Sequence, residues 1–112
     1  MMFYRGSKYG NIPTRCAQGI MHQSKLETKR CNELHVMQAG GLIQGLKAHP
    51  QEVYRLDVNG VHVAKYLADF VYLDENGKEV IEDTKGRATE VYKLKARLVK
   101  ALFGLEIREI RR

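Results

Sequence analysis

The sequence predicts a single α/β domain in which helices flank a mixed β-sheet. The length of 112 residues suits one domain. Two segments carry the start and stop signals of helices, and the short apolar segments between them are separated by Asn-Gly turns typical of β-hairpins. We divide the chain into an N-terminal arm at residues 1–22, expected to be irregular, and a folded domain at residues 23–112.

Both helices are predicted from their ends. Ser24-Lys25-Leu26-Glu27 fits a capping box, and Gly40-Gly41 supplies the conformational freedom that ends a helix. A second helix is expected to begin after Thr89 and to end at Gly104. Its predicted apolar face consists of Val91, Leu94, Leu98, Val99 and Leu102.

The remaining apolar segments read as strands. Turns are expected at Asn59-Gly60 and at Glu75-Asn76-Gly77, because these residues favour the conformations that tight hairpins need. Gly86 is expected to stop the strand that precedes it. We predict strands at residues 42–47, 52–58, 61–64, 66–73, 80–85 and 105–110.

Charge and hydropathy indicate the class of partner. The net charge is +6 and the pI is about 9.4, a basic excess that favours a polyanion such as nucleic acid. No apolar stretch approaches the ~20 residues of a membrane span, and the N-terminal residues lack the apolar core of a secretion signal. We therefore expect a cytoplasmic protein without a membrane partner, in which Cys16 and Cys31 form no structural disulfide.

Three residues suggest a hydrolytic metal site. Asp83 and Lys85 are two apart on one strand and share a face, whereas Glu82 points away. Asp69 lies in an apolar segment, where a lone carboxylate is costly to bury, and antiparallel pairing would place it near Asp83. Paired carboxylates suit Mg²⁺ or Mn²⁺ and phosphodiester hydrolysis. The alternative is a solvated surface ion pair.

A family resemblance supports the metal site. Ala68-Asp69, thirteen intervening residues and Asp83-Thr84-Lys85 resemble the PD-(D/E)XK nuclease motif, with alanine in place of its proline. Residues 20 to 110 also resemble small phage and prophage proteins that are usually assigned to this superfamily. The resemblance implies a restriction-endonuclease-like core, with Asp69 and Asp83 as metal ligands and Lys85 as the catalytic lysine. It also implies that Glu27 is an extra acidic ligand, although a capping box would explain Glu27 without a metal.

Basic residues on the second helix are candidates for DNA contact. Lys95 falls inside the predicted apolar arc and is expected either to reach the active site or to extend into solvent along a packed stem. Lys93, Arg97 and Lys100 form a basic face on the other side of the helix. This face would contact the DNA backbone or merely keep the helix solvated.

Cysteine and histidine residues form a second candidate cluster. Cys31 and His35 are four apart on the first helix, and Cys16 and His22 precede them. Such residues can bind zinc, but this spacing fits no common zinc motif, so the sequence favours a buried thiol and an ordinary histidine. No role is assigned to His22, His49 or His62.

The expected function is that of a phage- or prophage-type endonuclease using Mg²⁺ or Mn²⁺ to cut DNA. The short chain leaves little room for a sequence-reading element, so we expect selectivity for DNA structure, as in Holliday junction resolvases, and a possible homodimer. One alternative is a non-catalytic basic nucleic-acid-binding module. Another is a structural protein of a phage particle, which would need a large apolar surface.

Overall fold

The computed structural model describes residues 12–48, 52–85 and 88–111. Predictions that concern residues 1–11, His49 and Gly86 lie outside this part of the chain. In chain order the described elements are β1 (Thr14–Arg15), β2 (Met21–His22), α1 (Lys25–Ala39), β3 (Gln44–Lys47), β4 (Val53–Val58), β5 (Val61–Leu67), β6 (Phe70–Leu73), β7 (Glu79–Thr84), α2 (Glu90–Phe103) and β8 (Ile107–Ile110).

The central sheet has four strands in the order β3-β6-β7-β8. β6 pairs antiparallel with both β3 and β7, whereas β7 pairs parallel with β8. The parallel pair arises because α2 carries the chain back over the sheet before β8 begins. This arrangement confirms the predicted fold class, a mixed sheet with helices. Two further hairpins, β1-β2 and β4-β5, stand beside the sheet.

Successive residues of the central strands face opposite layers. Phe70 and Tyr72 join the apolar cluster that contains Cys31 and Leu34 of α1. Val71 and its partner Ile81 join a second cluster, which contains Tyr92 and Val99 of α2 together with Leu56 and Tyr66 of the β4-β5 hairpin. The sheet is therefore covered by α1 on one face and by α2 with the hairpin on the other.

The ends of α1 are those that the sequence predicts. The hydroxyl of Ser24 accepts a 3.1 Å hydrogen bond from the backbone N–H of Glu27. At the other end, Gly41 adopts a φ of 80°, and the backbone N–H of Leu42 donates to the carbonyl of Met37 at 2.9 Å. This pattern is a Schellman motif, which needs the left-handed conformation that glycine adopts without strain. Neither α1 nor α2 has the length and apolar composition of a membrane-crossing helix.

The predicted apolar face of α2 was wrong in part. The bounds of α2 agree with the predicted caps, Thr89 and Gly104, but the side chains that are buried are Tyr92 and Val99. Val91 is 62% exposed and Leu94 is 51% exposed, and Leu102 is also exposed. The apolar arc of α2 is wider than the part of the helix that packs against the β4-β5 hairpin. The aromatic ring of Tyr92 lies at the centre of this packed part.

Several strand boundaries also differ from prediction: β3 begins at Gln44 rather than at residue 42, β5 extends to Leu67 rather than to residue 64, and β8 begins at Ile107 rather than at residue 105. Residues 66–73 form no single strand, because β5 ends at Leu67 and β6 begins at Phe70. The interruption lets the chain pass from the hairpin into the central sheet. The described part of the arm is also more regular than predicted: β1 and β2 form a hairpin that docks on α1, where the hydroxyl of Thr28 donates to the carbonyl of Thr14 at 3.0 Å.

Candidate active site

Asp69 and Asp83 meet where the chain changes sheets. β6 pairs with β7 so that Phe70 lies opposite Glu82, and one step further Asp69 reaches Asp83, as the sequence predicts. Their carboxyl groups share a hydrogen bond. Asp69 sits in the interruption after β5 rather than within a strand. Its Oδ2 accepts hydrogen bonds from the backbone N–H of Thr84 at 2.8 Å and from the Thr84 hydroxyl at 2.9 Å.

Asp83 is held by an aromatic residue and a cation. The side chain of Asp83 is buried, and its Oδ2 accepts a 2.7 Å hydrogen bond from the hydroxyl of Tyr66. The ammonium of Lys85 lies 3.1 Å from the same oxygen, on the face that strand alternation predicts. The ammonium also lies 4.0 Å from the centre of the Tyr92 ring. Lys85 is thereby fixed by a charge on one side and an aromatic face on the other.

Burial shifts the acidity of these carboxyl groups. Burial, together with the negative charge of Asp69, raises the pKa of Asp83 to about 7. Burial also raises the pKa of Asp69 and of Glu27. Glu27, Asp69 and Asp83 form a row joined by hydrogen bonds, which two ionised carboxylates cannot make with each other. In the metal-free protein Asp83 therefore keeps its proton to a higher pH than an exposed aspartate does.

Glu27 connects the row to α1. Its Oε2 and Nδ1 of His22 share a 2.6 Å hydrogen bond, and its carboxyl group also bonds to Asp69. The N–H of Glu27 bonds to Ser24 as a capping box requires, but the carboxyl group turns towards the acidic row. Glu27 stands behind Asp69 and does not line the cleft in front of it.

Glu82 lies on the opposite face of the sheet, as alternation predicts. It is fully buried and accepts hydrogen bonds at 2.7 Å from both Nε and Nη2 of Arg30. The hydroxyl of Tyr72 also donates to Glu82. Strand alternation would place Thr84 on the same side as Glu82, but at the strand end its hydroxyl turns to Asp69.

An open cleft of about 370 Å³ lies in front of the two aspartates. The polar and aromatic residues that the sequence did not single out are Lys65, Tyr66 and Tyr92, and no spacing rule would have found them. The lining consists of Gln23, Lys65, Tyr66, Leu67, Asp69, Asp83, Lys85, Thr89, Val91, Tyr92 and Lys95. Three lysines thus surround an acidic floor, an arrangement that fits a phosphate backbone held over metal-binding carboxylates.

The four candidate DNA-binding residues lie on two different sides of α2. Lys95 lines the cleft. Lys93, Arg97 and Lys100 lie on the other side of the helix, as the helical repeat requires. Lys93 pairs with Glu90 at 3.3 Å, and Lys100 pairs with Glu106 at 2.7 Å, both at the surface. Only Lys95 of the four therefore joins the aspartates.

The fold also assembles the cysteine and histidine residues. One ligand atom each from Cys16, His22 and Cys31 lie within 4.8 Å of one another, and all three side chains are buried. His35 lies beside this group, since its Nδ1 donates to the carbonyl of Cys31 at 2.8 Å and lies 3.5 Å from the Cys31 sulfur. Sequence spacing could not reveal this cluster, because the β1-β2 hairpin folds Cys16 and His22 onto α1.

Comparison with known proteins gives one match. The profile of a family described as "Protein of unknown function (DUF1064)" matches residues 6–111. The chain belongs to this family. Neither the curated proteins nor the solved structures contain a match.

The donor atoms of this DUF1064 protein determine which metal would fit the cleft. Asp69 and Asp83 offer carboxylate oxygens at the floor, with Glu27 behind them. Hard oxygen donors suit Mg²⁺ or Mn²⁺, and a divalent cation would replace the protons that the row otherwise needs. The residues therefore fit such an ion, with Asp69 and Asp83 as its ligands.

Proposed function

We propose that this protein is a Mg²⁺- or Mn²⁺-dependent nuclease of the PD-(D/E)XK type that cuts DNA. One observation carries the proposal: the hydrogen-bonded carboxyl groups of Asp69 and Asp83 lie beside the ammonium of Lys85 at the floor of a lysine-lined cleft. A surface ion pair is a poor alternative, because Asp83 is only 4% exposed. Burying two carboxylates side by side is unfavourable unless a cation compensates for their charge.

Each residue has a task in this proposal. Asp69 and Asp83 hold the ion, which when bound polarises the phosphoryl group and makes water more acidic. With an ion bound, Asp83 would share its negative charge with it, so the ammonium of Lys85 would be held less tightly by Asp83. Lys85 stabilises the negative charge that develops on the phosphate or orients the attacking water. The ring of Tyr92 keeps the ammonium in place throughout.

The substrate is proposed from the charge of the cleft. Lys65 and Lys95 stand at its walls, at positions suited to contact the phosphates on either side of the scissile bond. The cationic side chains that line the cleft are lysines, which suit contacts with phosphates. Selectivity for DNA structure, such as a branch or a junction, fits this surface better than selectivity for sequence. Action inside a bacterial cell, in a phage or prophage context, is part of the same proposal.

A homodimer belongs to the proposal as well. Two cuts in opposite strands need two active sites, which a symmetric pair would supply. The exposed apolar side chains of Val91 and Leu94, next to the cleft on α2, support it. Light scattering measures the mass in solution, and we expect Leu94→Lys to convert a dimer to a monomer. A wild-type monomer at the concentrations used for cleavage would rule out the dimer.

The decisive experiment is cleavage of labelled linear, nicked and four-way-junction DNA with Mg²⁺ or Mn²⁺. We expect the wild-type protein to cut and both Asp83→Ala and Lys85→Ala to lose cutting. Asp57→Ala and Lys93→Ala are matched controls, since Asp57 is an exposed carboxylate paired with Arg55 and Lys93 is an exposed lysine. Both controls should cut normally.

The opposite outcome has a clear meaning. DNA binding without cutting in either metal, equal in the wild-type protein and all variants, would overturn the nuclease proposal. It would leave the non-catalytic basic binding module, which explains the net charge of +6 equally well. That module has no need for an aspartate pair at the floor of its cleft.

A further inference from the structure

A second group of metal-binding side chains lies on the other side of Glu27 from the catalytic pair. Cys16, His22 and Cys31 are 6%, 4% and 0% exposed, and their ligand atoms lie within 4.8 Å of one another. Cys16 is in the turn that follows β1, His22 is in β2 and Cys31 is in α1. Three different segments therefore converge on one buried point.

The separations of the ligand atoms are close to those of a zinc site. Zn–S bonds of about 2.3 Å and Zn–N bonds of about 2.0 Å at tetrahedral angles put ligand atoms about 3.5–3.8 Å apart. The observed upper limit of 4.8 Å exceeds this by about 1 Å, which side-chain rotation can close.

Charge and softness of the donors select the metal. Two thiolates and a neutral imidazole around Zn²⁺ give a group with no net charge, which is the condition under which ions are tolerated in a buried position. Sulfur and nitrogen ligands prefer zinc, whereas the carboxylate oxygens of Asp69 and Asp83 prefer Mg²⁺ or Mn²⁺. We propose that Cys16, His22 and Cys31 bind a structural zinc ion, with a water molecule or another small ligand at the fourth position.

Glu27 contacts the histidine of this site and would orient its ring. Nδ1 of His22 lies 2.6 Å from Oε2 of Glu27. With Glu27 ionised, Nδ1 carries the proton and donates to this carboxylate, which leaves the lone pair of Nε2 for the ion. A carboxylate that orients a ligating histidine in this way is a recurrent feature of zinc sites. The neutral alternative, two thiols packed against an imidazole, does not need this orientation.

The zinc ion would fasten the β1-β2 hairpin to α1 and would steady the catalytic row. Besides the bond between His22 and Glu27, two hydrogen bonds among the described residues dock the hairpin: Thr28 donates to the carbonyl of Thr14, and the backbone N–H of Ala17 donates to Oδ1 of Asn32 at 2.8 Å. Through His22, the ion would fix Glu27, whose carboxyl group bonds to Asp69. Zinc binding at this site does not require nuclease activity, and its test needs no DNA.

The test begins with the full chain expressed with zinc and purified without chelator. We expect elemental analysis to find close to one zinc per chain. We also expect the cobalt-substituted protein to show thiolate-to-cobalt charge-transfer absorption and the strong visible bands of a tetrahedral site. Glu27→Gln should lower the affinity for zinc by about 10- to 100-fold, the usual effect of losing a group that orients a metal ligand.

Matched variants assign the site. Cys16→Ser and Cys31→Ser should lose the zinc and the charge-transfer band, whereas His62→Ala should keep both, because His62 is exposed and bonds to Asp57. Asp83→Asn should also keep both, which separates this site from the catalytic one. The wild-type cobalt spectrum decides the question even where a cysteine variant does not fold. A folded wild-type protein with no bound zinc and no charge-transfer band would overturn the proposal.

Discussion

The hydroxyl of Tyr66 donates a 2.7 Å hydrogen bond to the same oxygen of Asp83 that lies 3.1 Å from the ammonium of Lys85. Tyr66 is on β5, whereas Asp83 is on β7, so this bond ties the β4-β5 hairpin to the central sheet. The bond favours the ionised form of Asp83 and lowers its pKa, against the effect of burial. Tyr66 is therefore placed to make Asp83 a better metal ligand at neutral pH.

Removal of this hydroxyl should weaken metal binding. A hydrogen bond to a charged group contributes about 1.5–3 kcal/mol, so we expect Tyr66→Phe to lower the Mn²⁺ affinity at neutral pH by about tenfold or more. Titration calorimetry measures the affinity. Tyr54→Phe is the matched control, because the Tyr54 hydroxyl bonds to the exposed Glu79 instead. Equal Mn²⁺ affinities in the two variants would contradict the role given to Tyr66.

Lys85 should be needed for cutting but not for metal binding. The ammonium is no metal ligand, and its pairing with Asp83 competes with the ion. We expect Lys85→Met to bind Mn²⁺ at least as tightly as the wild-type protein and to cut DNA about 10²- to 10³-fold more slowly, the usual effect of losing one charge-stabilising donor. Calorimetry and single-turnover cleavage separate the two effects. Loss of Mn²⁺ binding with a retained cleavage rate would contradict this division.

The raised pKa of Asp83 should make the metal-free protein less stable at higher pH. Its pKa rises from 3.8 to about 7 on folding, so the folded state binds more protons between these values. The favourable contribution is complete below about pH 4 and is lost as pH rises through 7. We expect the free energy of unfolding in chelator to fall over this range by more than about 1 kcal/mol.

The matching variant isolates this effect. Asp83→Asn has no proton to lose, so its stability in chelator should depend less on pH, and it should exceed that of the wild-type protein at pH 8. Mn²⁺ should stabilise the wild-type protein at pH 8 and have little effect on the variant. Urea unfolding at a series of pH values measures all three. A wild-type curve parallel to that of Asp83→Asn would show that Asp83 does not titrate in this range.

Local signals in the sequence were sufficient for the elements and for the aspartate pair. The Ser24 cap, the Gly41 end and the Asn59-Gly60 turn each depend on neighbouring residues alone, and all three are present. Register followed from the second turn, which set Leu73 opposite Glu79 and so carried Asp69 to Asp83. These relations extend over a few residues, where backbone geometry leaves few choices.

Other features depended on contacts between distant segments. The apolar arc of α2 is wide enough to be buried in more than one orientation, and the neighbouring hairpin decides that Tyr92 faces inward and Leu94 outward. The meeting of Cys16 and His22 with Cys31 likewise depends on how the β1-β2 hairpin docks. The periodicity of a sequence indicates which side chains share a face of one element. It does not indicate which neighbouring element will cover that face.

Lysines on opposite sides of α2 should differ in their effect on DNA. Lys95 lines the cleft, whereas Lys93 pairs with Glu90 at the surface. In an Asp83→Asn background that cannot cut, we expect Lys95→Ala to reduce the slope of the log binding constant against the log salt concentration by about 1, which corresponds to one phosphate contact. Lys93→Ala should leave this slope unchanged. Fluorescence anisotropy over a salt series gives the slopes. Equal slopes for the two variants would place DNA elsewhere than over the cleft.

Glu82 should support the fold and have no part in metal binding. It is fully buried and accepts two hydrogen bonds from Arg30, so Glu82→Gln leaves a largely buried guanidinium without its counter-charge and should cost about 3 kcal/mol in the free energy of unfolding. Glu33→Gln is the matched control, because the pairing of Glu33 with Arg30 is exposed and should contribute less than about 1 kcal/mol. Urea unfolding measures both variants. The folded Glu82→Gln protein should bind Mn²⁺ as the wild-type protein does, since Glu82 faces α1 rather than the cleft, and a large loss of Mn²⁺ affinity would show that the acidic site extends through the sheet.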